Sequence, residues 1–478
     1  MEKEFEALIR KIAAYNPEEV EFIKKAYFFA RKCHEGQYRK SGEPYIIHPI
    51  AVADILADML ADRNTLCAGL LHDVIEDCHV TREEIEREFN SKIAELVDGV
   101  TNLSKADFQN KTERSFGTKR KIILGIINDT RIVVIKLADR LHNMNTLQFQ
   151  SRDKQKEKAE ETLQFYVPLA RYIGAEKIRR KLEDLSLLYL DPTGYRETEA
   201  QLTEYLDRKN SSVDKMMESI HNSMNEAHLN GTIAFRVKNL YSVYLKIKAN
   251  EYIYNIHDLL AIKVLLQEIR DCYYALGVIH HLYAPCNSTF KDYICRPKPN
   301  MYSSLHSSVI GDDDTLTQIQ IRTYEMEKIN MQGITAYWGM YKGEAGDKMK
   351  EILRDRFKFD QSVKRLNNVF ADSEFFVTNV ERNILGENIN VYDYDGYLIS
   401  LPEGSTVVDF AYYLGSAVAE KMVGAFVNGN PVDFGTVLHN GDRVHILTSR
   451  DKHGPNVNWL DKATNIETQR QILKKIRN

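Results

Sequence analysis

The chain has 478 residues, 43% of them hydrophobic and 28% charged, which is ordinary for a soluble globular protein and long enough for roughly three domains. Lys and Arg number 64 against 68 Asp and Glu, so the net charge of −4 argues against a nucleic-acid or membrane-surface protein, and any polyanion has to be met by a local basic pocket. Six cysteines without a CxxC exclude a disulfide framework, the charged start MEKEFEALIRKI lacks an apolar signal core, and no stretch reaches the length of a membrane span; the expected compartment is the cytoplasm, with no membrane partner.

Residues 1–192 read as helix after helix, from EVEFIKKAYFFARKCH to the long stretch ETLQFYVPLARYIGAEKIRRKLEDLSLLYL, and the turn signal Asp191-Pro192 closes them. Over 193–342 the texture changes. TIAFRV, LLAIKVLL, HSSVIG and LTQIQIRT are short and β-branched, with SVYLKIKA and CYYALGVIHHLY as helices between them. Residues 343–384 are charged and helical in pattern, a linker. In 385–450, ENINVYDYDGYLISLPEG has hairpin character, STVVDFAYYLGSAVAEKM is a capped helix, and AFVNGNPVD and DRVHILTS are strands. That order suggests a β-grasp, followed by a closing helix in 451–478. The fold class is therefore multidomain α+β: an all-α domain, a mixed-sheet α/β domain and a small β-grasp.

The first chemical signal is LLHDVIED, with His72, Asp73, Glu76 and Asp77 in an apolar run. On one helix His72 and Glu76 share a face, as do Asp73 and Asp77. Imidazole plus carboxylate suits a borderline divalent metal, but further ligands must come from elsewhere. Two stretches qualify: QYRKSGEPYIIHPIAVA, with His48, and IVVIKLADRLHNMNTL, with Asp139 and, one turn on, Asn143. A lone His-Asp dipeptide is more often a hydrogen-bonded pair at a helix start; three polar clusters in apolar helices favour a site.

HEGQYRKSGEPYIIHPIAVA, LLHDVIED, LVDGVTNLSK and IKLADRLHNMNTL together resemble the HD-type hydrolase domain of the RelA/SpoT homologues, the long enzymes that make and destroy the alarmones ppGpp and pppGpp. The match runs through nearly the whole chain in the family's order. It implies that His48, His72, Asp73 and Asp139 hold one Mn²⁺, and that Glu76 and Asp77 orient or deprotonate the attacking water. It also implies that Arg39, Lys40, Ser41, Tyr45, Asn143 and Thr146 bind the nucleotide. The chain departs from the pattern at Asn145 and Asn102, where the family has Arg and Lys; neither is a ligand, so the expectation is at most altered affinity.

The second signal lies in the α/β part. Arg236 and Lys238 are two apart at a strand end and share a face, with Ser242 and Lys246 on the next helix. KDYICRPKPNMYSSLHSS interleaves Lys291, Lys298 and His306 with Tyr293 and Tyr302, charges for phosphate and rings for a base; a solvated surface loop is the alternative reading. RVKNLYSVYLK, HDLLAIKV, FKDYICRPKPNMYSSLHSSVIG and IQIRTYEME resemble the nucleotidyltransferase-like synthetase domain of the same family, which moves a pyrophosphate from ATP to GDP or GTP. Asp258 matches its Mg²⁺-binding Asp, and Gln320 lies on the strand of its IQIRT motif. The departures fall on working residues. Gln318 stands for the Glu that binds Mg²⁺ and activates the 3′-hydroxyl, and an amide can neither take a proton nor ligate Mg²⁺ well. Thr289 and Lys263 replace arginines, Glu327 replaces a His, and Asn330-Met331 replaces Ala-Glu. The expectation is a synthetase-like domain without transfer, with Mg²⁺ relevant only if that site works. It binds a guanine nucleotide and reports to the hydrolase, or serves as a scaffold; both stay open.

Residues 385–450 resemble the TGS domain of long family members, which takes part in sensing uncharged tRNA on the ribosome; Gly415 stands where the family has a tRNA-contacting His, which weakens that expectation. The sequence reading is thus a (p)ppGpp 3′-pyrophosphohydrolase yielding GDP or GTP. Its rivals are a bifunctional synthetase and hydrolase, and a catalytically idle tRNA- or ribosome-binding sensor.

Overall fold

The structure is a computed structural model of the chain. It describes residues 2–103, 110–256, 258–286, 289–298, 300–311, 314–336, 363–364, 366–368, 371–386, 388–451 and 454–477. The chain divides into two compact units, Met1–Phe108 with Lys121–Lys358, and Gln109–Arg120 with Phe359–Asn478.

In the first unit the helices follow the apolar spacing. α1 (Glu2–Ala13) buries Phe5, Leu8 and Ile12, and α2 (Val20–Cys33) buries Ile23, Ala26, Tyr27 and Ala30, one stripe each. α3 (Ile47–Asp58) lies beside α4 (Arg63–Leu71). Gly69 permits the close approach, since a Cβ there would come within 2.5 Å of Leu56 Cδ1. α4 is capped by Asp62, whose carboxylate accepts from the Thr65 amide at 2.8 Å. Thr65–Leu71 are all buried, so α4 is the centre of the bundle.

LLHDVIED is not one helix. α4 stops at Leu71 and α5 (Val74–Cys78) begins after it, so His72 and Asp73 occupy the joint and the shared-face pairing with Glu76 and Asp77 does not arise on a continuous helix. α6 (Arg82–Glu88), α7 (Ser91–Val100), α8 (Lys111–Asn128) and α9 (Arg131–Asn145) follow. α9 runs through the interior, with every residue from Ile132 to Ala138 buried.

The long helix expected over ETLQ…LLYL is also broken. α10 (Arg152–Glu161) widens into a π-helical turn over Thr162–Tyr166 ahead of Pro168, whose ring nitrogen cannot donate. α11 (Val167–Tyr172) ends at a turn in which Gly174 has φ +76, before α12 (Glu176–Leu190). Asp191-Pro192 is the start of a helix rather than a closing turn. Asp191 accepts from the Gly194 amide at 2.9 Å, Pro192 takes the first position, and α13 (Pro192–Glu226) runs for 35 residues.

Four strands appear where the sequence placed them, β1 (Thr232–Val237), β2 (Leu260–Leu266), β4 (Leu305–Ile310) and β5 (Leu316–Thr323), and a short β3 (Lys291–Asp292) is added to them. Their order is β1-β2-β5-β4-β3, with β2 parallel to β5 and the other neighbours antiparallel. α14 (Leu240–Lys248), α15 (Ile269–Leu282) and α16 (Tyr324–Gln332) complete this part. Ile262, Val264, Ile319 and Ile321 share a core with Cys272, Ala275 and Ile279 of α15 and with Met216, Ile220 and Met224 of α13. The alternate residues of β5, Gln318, Gln320 and Arg322, therefore point to the opposite face.

Of the expected linker, residues 343–362 lie outside the described residues, and Ser373–Val380 is a helix. In the second unit β6 (Asn388–Tyr392) and β7 (Leu398–Pro402) form the expected hairpin, turning at Gly396 with φ +88. Helix Val407–Leu414 precedes β8 (Met422–Val427), β9 (Asn430–Pro431) and β10 (Val444–Thr448), ordered β10-β8-β9. The tail is no separate appendage: Trp459 and Ile472 join the core of Val408 and Phe410. The buried Asp409 carboxylate accepts from Thr464 Oγ1 at 2.8 Å and from the Asn465 amide at 3.0 Å.

Candidate metal centre and candidate nucleotide pocket

Three elements of the first unit bring four donors together. α3 carries His48 in its first turn, the α4–α5 joint carries His72 and Asp73, and α9 carries Asp139. The ring nitrogens His48 Nε2 and His72 Nε2 are 3.2 Å apart. Asp73 Oδ2 lies 3.0 Å from His72 Nε2 and 3.6 Å from His48 Nε2, and Asp139 Oδ1 lies 3.3 Å from His48 Nε2 and 3.9 Å from His72 Nε2. His48 and His72 are only 2% exposed, while Asp73 and Asp139 beside them are half-buried.

The far side of each ring fixes its orientation. His72 Nδ1 donates to the Gly69 carbonyl at 2.8 Å, which turns the Nε2 lone pair into the cluster. His48 Nδ1 meets His142 Nδ1 at 2.7 Å. Burial lowers the pKa of His48 and brings His142 down to about 3, which keeps both rings neutral near pH 7. Against burial, the carboxylates of Asp73 and Asp139 lift His72 to about 9, while the neighbouring cations hold both carboxyls well below their usual range. His48, His72 and Asp139 present ligand atoms within 4.8 Å of one another, a donor set for a borderline divalent cation that would replace the proton on His72, and Asp73 adjoins it beside the two rings.

The flanking residues divide into two groups. Arg39 Nη2 donates to Asn143 Oδ1 at 2.8 Å, Asn143 Nδ2 to Asp139 Oδ1 at 2.6 Å, and the Tyr45 hydroxyl to Asp73 Oδ2 at 2.7 Å. These three reach the cluster, and the Tyr45 hydroxyl also faces Asp77. Arg39 is positioned by a loop closed at both ends, its amide donating to the Glu43 carbonyl at 2.9 Å. Lys40, Ser41 and Thr146 turn elsewhere, to Gln150 Oε1, Glu43 Oε2 and the His142 carbonyl. Glu76 and Asp77 sit on the exposed side of α5. Sequence reasoning missed His142, Lys136 and the bridging place of Asn102. The first two lie three residues either side of Asp139 on α9, so one helical turn counted from that residue would have found them.

In the α/β part the register sets out a second site. Arg236 pairs with Ala261, Ala261 with Gln318, Lys263 with Gln320, and His306 with Gln320, so one face carries Arg236, Lys263, Gln318, Gln320, Arg322 and His306. Lys298 lies 4.8 Å over the Tyr293 ring and 5.4 Å over Tyr302, whose hydroxyl meets His306 Nε2 at 2.7 Å. Burial among Arg322, Lys298 and Lys291 takes His306 down to about 3, and burial beside Arg180 takes Arg236 down to about 10. Both shifts report a cationic pocket. Lys238 pairs with Asp258, and Lys246 stands 3.7 Å from the same carboxylate. Ser242 turns away, donating to Asn239 Oδ1 at 2.6 Å.

The positions that depart from the family pattern have found new partners. Lys263 Nζ and Glu327 Oε1 are 2.6 Å apart, and Arg322 Nη1 lies 3.2 Å from Glu327 Oε2. The Gln318 amide oxygen accepts from Gln320 Nε2 at 2.6 Å. Thr289 Oγ1 accepts from the Ser308 amide at 3.1 Å, and Asn330 holds the Ser303 backbone through bonds of 2.9 and 2.8 Å. In the β-grasp module Gly415 has φ +134 and ends its helix, a backbone conformation that a His would adopt only with strain.

A helical bundle with a His…His-Asp…Asp cluster, a mixed sheet with basic residues on one face and a small strand-rich module are the three parts of this chain, and each is matched by a known family. The HD domain family matches residues 26–176, the region found in RelA/SpoT proteins matches 235–346, and the TGS domain matches 389–448. The chain is 38% identical over 470 residues to a GTP pyrophosphokinase of Myxococcus xanthus, covering 96% of this chain and 61% of that protein. It is 38% identical over 465 residues to a guanosine-3′,5′-bis(diphosphate) 3′-pyrophosphohydrolase of Vibrio cholerae, covering 96% and 65%. It is 37% identical over 478 residues to the bifunctional (p)ppGpp synthase/hydrolase SpoT of Escherichia coli, covering 99% and 68%. The chain belongs to the RelA/SpoT family and spans between 61% and 68% of the length of these relatives. Among the described residues no helix is long and apolar enough to cross a membrane.

Proposed function

We propose that this protein hydrolyses the 3′-pyrophosphate of ppGpp or pppGpp, giving GDP or GTP and pyrophosphate, and that its synthetase-like domain does not carry out transfer. The observation that carries the reading is the meeting of the buried His48 and His72 with the half-buried Asp73 and Asp139. These four would hold Mn²⁺, which supplies Lewis-acid polarisation of a phosphoryl oxygen when bound. Asn143 and Tyr45 keep Asp139 and Asp73 in place through their hydrogen bonds. Glu76 and Asp77 would orient the attacking water or, through one of the two carboxylates, take its proton, and their exposure on α5 leaves them open to it. Arg39 presents a guanidinium to the nucleotide, oriented by Asn143 and His142. Lys40, exposed and hydrogen-bonded to Gln150 Oε1, is long enough to swing onto phosphate, and Ser41 and Thr146 would reach the nucleotide by leaving their present partners.

The silent second site rests on Gln318, which cannot act as a base, and on Glu327, which occupies Lys263 and Arg322 with a fixed negative charge. A second reading, a bifunctional enzyme, is favoured by one observation: Arg236, Lys298 and His306 still line one cationic face. In that reading Asp258 would hold Mg²⁺ beside Lys238. We assign no tRNA contact to Gly415.

The test is purified protein with Mn²⁺ in two assays read by nucleotide chromatography, one with ppGpp and one with ATP, GDP and GTP. GDP from the first with no alarmone in the second supports the proposal. Alarmone in the second, repeated with His72→Ala so that hydrolysis cannot hide it, overturns the silent site. Unchanged ppGpp in the first overturns the hydrolase.

A further inference from the structure

Glu76 is connected to the four-residue cluster through a side chain that has no place in it. Asn102 Nδ2 donates to Glu76 Oε2 at 3.0 Å, and Asn102 Oδ1 accepts from Lys136 Nζ at 3.3 Å. Lys136 Nζ in turn lies 3.4 Å from Asp139 Oδ2. Lys136 is 4% exposed, one helical turn before Asp139 on α9. An ammonium is buried only where charge and hydrogen bonds compensate it, and here Asp139 and the Asn102 carbonyl do so. The four side chains form a continuous line, Glu76–Asn102–Lys136–Asp139, from the exposed acid of α5 to the half-buried carboxylate of α9.

We propose that Asn102 is a positioning residue for Glu76. Its amide has a donor at one end and an acceptor at the other, which matches a carboxylate on one side and an ammonium on the other. Asp at this position would accept from Lys136 but repel Glu76. Lys, the family's residue at this position, could donate to Glu76 but offers Lys136 no acceptor. Ala would leave the buried Lys136 short of one acceptor and Glu76 short of one donor. Asn102 thus fixes the direction of the Glu76 carboxylate against the same helix that carries Asp139. The inference rests on the reading of this site as a hydrolase in which Glu76 handles the water.

The experiment compares wild type, Asn102→Ala, Asn102→Asp and Glu76→Gln, with Asn102→Ala also placed in the Glu76→Gln background. It measures kcat and KM for ppGpp with Mn²⁺, alongside Mn²⁺ affinity and thermal unfolding. A lost hydrogen bond to a charged group predicts a fall in kcat of roughly 10- to 100-fold for Asn102→Ala, with KM and Mn²⁺ affinity within about threefold of wild type. Asn102→Asp, nearly the same shape, falls at least as far. In the Glu76→Gln background, removing Asn102 costs no more than about twofold further, because the two act as one unit. An Asn102→Asp enzyme within twofold of wild type overturns the role, as does a loss that multiplies with that of Glu76→Gln. Should Glu76→Gln leave no measurable turnover, Asn102→Asp decides by itself. A wild-type protein that leaves ppGpp intact refutes the hydrolase reading and the positioning role with it; an active wild type beside an unimpaired Asn102→Asp refutes the positioning role alone.

Discussion

Asp139→Asn removes one negative charge without changing shape, and two separable losses follow from where that charge sits. Asp139 Oδ1 faces His48 Nε2 at 3.3 Å and accepts from Asn143 at 2.6 Å, while Oδ2 faces Lys136 at 3.4 Å. For the metal, an anionic ligand becomes a neutral amide. Disturbing residues that merely support ligands already costs about 10–100-fold in affinity, so loss of a ligand charge is expected to exceed about 100-fold. For the metal-free protein, the buried Lys136 loses its nearest countercharge. Breaking a buried pair by removing one partner costs about 3–5 kcal/mol. Mn²⁺ binding by calorimetry and urea unfolding of the chelator-treated protein read the two effects independently. Mn²⁺ affinity within threefold of wild type would refute Asp139 as a ligand. An undiminished metal-free stability would refute its pairing with Lys136.

Three further outcomes are expected. Although burial by itself would raise it, Arg140 and Lys158 hold the Glu161 carboxyl at about 2, below its ordinary 4.5. A depressed folded value stabilises above the unfolded pKa and is lost as pH falls, so about 3 kcal/mol disappears between roughly pH 5 and pH 2; denaturation of Glu161→Gln at pH 5 and pH 3 must show a shallower pH dependence than wild type. Gly333 has φ +62, and a Cβ there would stand 2.0 Å from the Ile173 carbonyl oxygen, so Gly333→Ala is expected to cost at least about 1–3 kcal/mol in thermal unfolding. Gln318→Glu introduced without other changes creates no alarmone synthesis in a His72→Ala background, because Glu327 still neutralises Lys263 and Arg322; synthesis by that variant, read by chromatography, would show that Gln318 was the only block.

Much of this protein is legible in its residues. Apolar spacing placed α2 and α9, and β-branched alternation placed β1, β2, β4 and β5 with little error, because local burial patterns carry their own period. The three apolar runs singled out His48, His72, Asp73, Glu76, Asp77, Asp139 and Asn143, since a polar group inside such a run needs a partner; the choice of four of them as donors came from the resemblance to the family. Breaks in helices were less legible. Nothing within LLHDVIED shows that the chain turns between Leu71 and Val74, and Asp191-Pro192 reads equally as a turn and as a helix start.

What the tertiary structure decided is which distant side chains meet. His142 and Lys136 are unremarkable letters of α9 until α3 and the segment carrying Asn102 lie against it. The same holds for Lys263 and Glu327, which look in sequence like two independent losses and in space are one ion pair 64 residues apart. Sequence fixes the chemistry and period of each segment because those depend on neighbours a few residues away. A charge pair or an amide bridge depends on distance in three dimensions, and only the packing of helix on helix and strand on strand sets that distance.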